Sequence, residues 1–369
     1  MSTQPWIASR NTDLGFIVGP AFFITALVIL FRHQIALVDG TPPWLWLLLI
    51  VGVDVSHVYS TIFRTYLDKE ELAKRPALYA LAPLGAWIAG VMLYSISALA
   101  FWRVLAYLAV FHFIRQQYGF MMIYARGERS RPKFTRYIDQ AAIYLATLFP
   151  LAWWHSHHLP ISWFVDGDFI YINKPLLGLI VGAVFGVVML AYIGKEIWYA
   201  RRDGAVNAPK NLLLFGTALS WSVGIVIFSN DLAFTATNVI AHGIPYTALI
   251  WIYGRNQRDV RGGRAPYVSK AVNLFFSARM IPVYIALLFA LAFLEEGLWD
   301  GLVWREHLSI FGFFRYLPRV DSDSVMVWLV PFLSLPQSVH YILDAFIWKH
   351  NLKDSEWKKI LLYRPATAT

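Results

Sequence analysis

The chain has 369 residues, of which 58% are hydrophobic and only 15% charged, with a formal net charge of +9 and no cysteine. That balance excludes an ordinary water-soluble domain, and no polar stretch is long enough to fold beside the apolar ones, so residues 1–369 read as one integral membrane domain. The basic residues lie in short loops, where they set topology rather than bind nucleic acid, and the lack of cysteine excludes disulfides, thiolate metal sites and iron–sulfur clusters.

Apolar stretches near the ~20 residues that a ~30 Å hydrocarbon core requires predict helices over 14–31, 43–63, 77–97, 98–124, 136–154, 175–199, 211–229, 231–254, 279–297 and 325–348. The fold class is therefore all-α, a polytopic bundle of about ten transmembrane helices. Ser95, Ile96 and Ser97 supply the turn that divides the third from the fourth. The polar N-terminus has no cleavage site before the first apolar run, so no cleavable signal is expected. Of the 32 Lys and Arg residues, 25 fall in the N-terminal segment, in the loops 64–75, 126–136, 195–210 and 255–279, and in the C-terminal tail. The opposite loops hold only Arg32, Lys174, Arg305, Arg315 and Arg319. The positive-inside rule then places the basic set, and with it both termini, in the cytoplasm. The two longest connections, 255–279 and 299–324, mix aromatic and charged residues and are expected to lie along the membrane surface.

Ionisable side chains are costly in hydrocarbon, so those in mid-helix are the first candidates for function. Here they are mostly histidines: His57 in VDVSHVYSTIF, His112 in AVFHFIRQQYGF, His242 in NVIAHGIPYTAL and His340 in LPQSVHYILDAFIWK. All four predicted helices run in the same direction, and each histidine stands 7 to 14 residues before the basic residue that closes its helix. That is a common depth of roughly 10 to 21 Å from the cytoplasmic edge. Each also has a polar neighbour at helical spacing, namely Asp54, Gln116, Asn238 and Asp344, suited to orient an imidazole or to act with it in catalysis. A lone intramembrane histidine is more often a packing residue, but four at one depth, each so accompanied, favour a shared metal site. Neutral imidazoles without thiolate suit iron, copper or zinc, and in an apolar cavity Fe(II) with dioxygen is the preferred chemistry. Three further groups carry weaker expectations. Trp153, Trp154, His155, His157 and His158 read as an aromatic belt with wetted histidines. Arg115 is expected to reach the interface or pair with a carboxylate such as Asp54. Pro245 and Pro336 are expected to kink the helices of His242 and His340.

The histidine segments resemble those of the bacterial Brp/Blh group of membrane-bound carotene dioxygenases, most closely at LPQSVHYILDAFIWK, then at AVFHFIRQQYGF and ATNVIAHGIPYTALIWIY, and last at DVSHVYSTIF. The resemblance implies a multi-pass protein of a bacterial-type inner membrane, with His57, His112, His242 and His340 binding iron(II) and a carotenoid, isoprenoid or lipid chain as substrate. The sequence departs from that group in having Ser-His-Val at the first motif and a single histidine at the third. Three other readings stay open at this point: a haem b electron-transfer protein, a transporter, and a lipid-modifying transferase with one histidine as general base.

Overall fold

Each of the ten predicted stretches is helical in a computed structural model, which describes residues 4–38, 40–128, 130–261, 267–348 and 356–363. The principal helices are α1 (Arg10–Phe16), α2 (Gly19–Leu30), α3 (Pro43–Arg64), α4 (Pro76–Ile96), α5 (Ala98–Tyr124), α6 (Lys133–Ser156), α7 (Pro175–Asp203), α8 (Ala208–Ile227), α9 (Asp231–Val260), α10 (Ala278–Trp304), α11 (Asp323–Leu333) and α12 (Leu335–Ile347). No strand occurs among the described residues. The first and last predicted helices are each bent pairs, α1–α2 by 41° and α11–α12 by 43°. Pro336 stands in the first turn of α12 and so marks the second bend, whereas Pro245 lies inside an unbroken α9. Ser97, in extended conformation, separates α4 from α5 where the serines predicted a turn.

Among the described residues six helices are long and apolar enough to cross a membrane, and up to eight spans result if each bent pair counts as one. The chain is thus a multi-helix membrane protein. The long helices that fall outside this set, α6 and α9, are the polar ones, and in α9 the polar residues are largely buried in protein. Helix α9 also runs six residues past the predicted end at 254. Its extension holds Asn256, which donates to the Ile360 and Leu361 carbonyls (3.1 and 2.9 Å), and Gln257, which donates to Asp68 (3.1 Å). Hydropathy falls off there, but tertiary hydrogen bonds continue the helix.

The helices group into two compact units, and the division falls within α5 and within α9. Unit 1 contains residues 1–40 and 110–245. In it α7 packs along α6, where Gly182 of α7 lies against the Phe149 ring, and α8 packs on α6 and α2. A buried ionic group ties its helix ends. Lys210 Nζ lies 2.7 Å from both Glu128 and Glu196, while Lys195 pairs with Asp139 and with Glu196 at 2.9 Å. Buried charges persist only when paired in this way. Unit 2 contains residues 41–109 and 246–369. Here α4 packs on α11 and α12, with Tyr79 and Ala82 against Val339 and Leu343, and α10 packs on α3. Arg64, at the end of α3, is buried between Glu71 (2.9 Å) and the Tyr253 ring (4.4 Å). The connection 255–279 carries a short helix, Lys270–Leu274, and the connection 299–324 carries a single turn at Phe314–Tyr316.

Candidate metal-binding histidines

The four mid-helix histidines are all buried, with 1% of His57, 6% of His112, 1% of His242 and 2% of His340 exposed. They fall into two pairs, one in each unit, each with its two rings edge to face.

In unit 2, His57 follows a π-helical stretch of α3, Leu47–Val55, whose wider turns re-aim the residues after it. His340 lies on α12, just past the bend marked by Pro336. The two rings meet edge to face, with centroids 5.1 Å apart, and ring nitrogens from the pair come within 4.8 Å. The Tyr246 ring packs edge-on against both, at 5.7 Å from His57 and 5.0 Å from His340. Asp54 Oδ1 is 3.7 Å from His57 Nδ1, and Asp344 Oδ1 is 3.9 Å from His340 Nδ1. Both carboxylates are therefore close, at the helical spacing the sequence predicts, yet beyond a direct hydrogen bond. The side chain that does bond His340 Nδ1 is Thr61 Oγ1, at 2.7 Å. Asp344 is instead engaged by the Tyr246 hydroxyl at 2.5 Å, and Tyr246 in turn meets Thr61 Oγ1 at 2.9 Å. Thr61 and Tyr246 carry no polar signal beyond their place one turn after His57 and one turn after His242, which is the only sign of them in the sequence.

In unit 1, His112 of α5 and His242 of α9 also meet edge to face, with centroids 5.0 Å apart and ring nitrogens within 4.8 Å. Phe113 stacks flat on His242, 3.5 Å between centroids. The polar neighbours here act on the backbone. Pro245 has no N–H to give to the carbonyl four residues earlier, that of Ala241, and the Gln117 amide reaches that carbonyl instead at 3.4 Å. Gln116 donates to the His242 carbonyl at 3.0 Å. Asn238 donates to the Phe234 carbonyl at 3.0 Å, within its own helix. Gln116 and Asn238 thus hold the turn of α9 that presents His242, and the part played by Gln117 is invisible without the fold.

Comparison of the chain with protein-family models, with curated proteins and with solved structures finds no match. The remaining candidates stand apart from these pairs. His155 and His157 each turn Nδ1 back to a carbonyl of their own helix, Leu151 at 2.7 Å and Trp153 at 3.0 Å, and Trp153 stacks on His157. Arg115 donates to the Tyr144 hydroxyl at 2.7 Å and lies over the Tyr118 ring.

Proposed function

We propose that this chain is a ten-helix membrane enzyme, with both termini in the cytoplasm, in which His57, His112, His242 and His340 bind one non-haem iron(II). Its reaction is the oxidation by dioxygen of a hydrophobic substrate held within the bilayer, a carotenoid, isoprenoid or lipid chain. The observation that carries this reading is the pairing itself: buried imidazoles, two and two, each pair with ring nitrogens within 4.8 Å.

The donor set fits the metal. Four neutral imidazoles with no thiolate suit a first-row divalent ion, copper and zinc included, and an apolar shell suits a substrate without charge. When bound, iron(II) supplies the one chemistry these side chains lack, the activation of dioxygen. The residues themselves hold and dry the site. Phe113 covers one face of His242, Tyr246 wedges against His57 and His340, and the glutamines of α5 fix the backbone at Ala241 and His242. The resemblance of the histidine segments to the Brp/Blh carotene dioxygenases points to the same class of substrate, and the bacterial-type inner membrane as location goes with it.

Metal analysis with an optical spectrum, on detergent-purified wild type and on the four single alanine variants, tests the reading. One iron per chain without a Soret band, lost in every variant, is the expected result. No metal after reconstitution with iron, copper and zinc would overturn it. So would two metals per chain, one surviving when the other pair is altered, since the pairs would then be separate sites.

A further inference from the structure

The hydrogen bonds around His340 have a direction. Tyr246 has one hydroxyl proton, and it is donated to Asp344 Oδ1, 2.5 Å away. With that proton committed to Asp344, the Tyr246 oxygen accepts from Thr61 Oγ1, 2.9 Å away. Thr61 likewise has one proton, now committed to Tyr246, so toward His340 Nδ1, at 2.7 Å, it accepts. Thr61, Tyr246 and His340 are each less than 5% exposed, so the sequence of donors is shielded from exchange with bulk water.

We infer that Thr61, Tyr246 and Asp344 form a relay that fixes His340 in the tautomer with its proton on Nδ1, leaving Nε2 as the nitrogen that binds metal. This rests on the reading of His340 as a ligand. The three are positioning residues, and the relay does for His340 what a carboxylate does directly for many metal-bound histidines, here through two hydroxyl groups because Asp344 Oδ1 stops 3.9 Å short. It also explains why a carboxylate sits one turn after His340 without bonding its Nδ1. Reversal of all three bonds would place a proton on Asp344 and move the histidine proton to Nε2, the tautomer that cannot bind metal through that atom.

Nitrogen NMR of the metal-free, ¹⁵N-histidine-labelled chain in detergent separates the two directions, at a pH about two units above the ordinary histidine value of ~6.5. The His340 signals are identified by their absence in H340Q. Wild type is expected to show a protonated Nδ1 and a bare Nε2. Thr61→Val, which keeps the shape but removes the hydroxyl, is expected to mix the tautomers and to weaken zinc binding about 10- to 100-fold. Thr61→Ser, which restores the hydroxyl, is expected to restore both readouts. If the valine variant does not fold, Tyr246→Phe breaks the relay at its next link and serves the same purpose. A wild-type proton on Nε2, or an unchanged tautomer in both relay-breaking variants, overturns the inference. The spectrum is taken without metal, so a fixed Nδ1 tautomer in a chain that binds neither zinc nor iron would sink the metal reading and leave the relay standing.

Discussion

Pro245 and Gln117 form a compensating pair across two helices. The proline removes the donor that the Ala241 carbonyl would have in a regular helix, and the glutamine amide supplies one from α5. A buried carbonyl left unsatisfied costs about 1–3 kcal/mol. Gln117→Leu is therefore expected to destabilise the protein by about that much, and to cost clearly less in a Pro245→Ala background, where residue 245 regains its N–H. A double-mutant cycle by reversible unfolding in mixed micelles checks this, and additive losses would mean that the glutamine serves some other contact. The same contrast shows how far a residue-level reading of the sequence reaches. His57, His112, His242 and His340 could be picked out because ionisable groups in apolar helices are conspicuous. Thr61, Phe113 and Tyr246 could not, because a threonine, a phenylalanine and a tyrosine are unremarkable in such helices until packing sets them against an imidazole. Asp54, Gln116, Asn238 and Asp344 stand where helical spacing puts them, yet spacing alone did not say that two of them would spend their hydrogen bonds on backbone carbonyls and a third on a tyrosine.

At the scale of elements, the apolar stretches of the sequence placed every long helix, although α9 and α10 run six and seven residues past their predicted ends, since the need to satisfy backbone groups internally leaves such stretches little alternative. The bend between α11 and α12 was legible through Pro336, whereas the bend between α1 and α2 and the π-helical stretch before His57 were not, because they depend on what each helix packs against. Close approach of helices is another such property. Gly254 of α9 lies so near the Phe276 ring that a Cβ has no room, and Phe276 belongs to the cluster of Phe63, Tyr246, Ile250 and Tyr284. Gly254→Ala is expected to cost about 1–3 kcal/mol by displacing that ring. Gly186→Ala on α7, where nothing lies within 4 Å, should be neutral or stabilise by up to ~1 kcal/mol through helix propensity. Equal losses in the two variants, measured by the same unfolding titration, would exclude ring displacement as the cause. The short helix Lys69–Lys74 adds an electrostatic case. Glu70 pairs through both oxygens with Arg261, just beyond the end of α9, and the guanidinium lowers the carboxyl pKa below its ordinary value. A lowered folded-state pKa stabilises above the unfolded value of ~4.3, and that contribution is lost as pH falls through the folded one. The gap in melting temperature between wild type and Glu70→Gln should accordingly close as pH drops from 6 to 3, and a constant gap would count against the pair.

At the scale of the whole molecule, the number of helices that cross the bilayer turns on α6 and α9. Both are long enough, and both are too polar to be recognised as spans by hydropathy. A membrane helix surrounded by protein has no need of an apolar surface, so polarity on α9, whose residues are mostly buried, is compatible with crossing. The distribution of charge makes the stronger argument. If α6 crosses, the Arg-rich loop 126–136 and the loop 157–174, which holds one lysine and no arginine, lie on opposite sides, as the positive-inside rule requires. If it does not, they lie on one side, and the basic bias alternates with nothing. The chain contains no cysteine, so single cysteines introduced at Arg131, Asp166, Ser229 and Arg258 can be read without background. In right-side-out vesicles, an impermeant thiol reagent is expected to label the variants at 166 and 229 and to spare those at 131 and 258 until the membrane is opened. Labelling of 131 together with 166, or of 229 together with 258, would remove α6 or α9 from the spans. Removing α9 would also bear on the proposed centre, because His242 would then lie on a helix that does not pass through the bilayer, where a substrate dissolved in lipid has to be met.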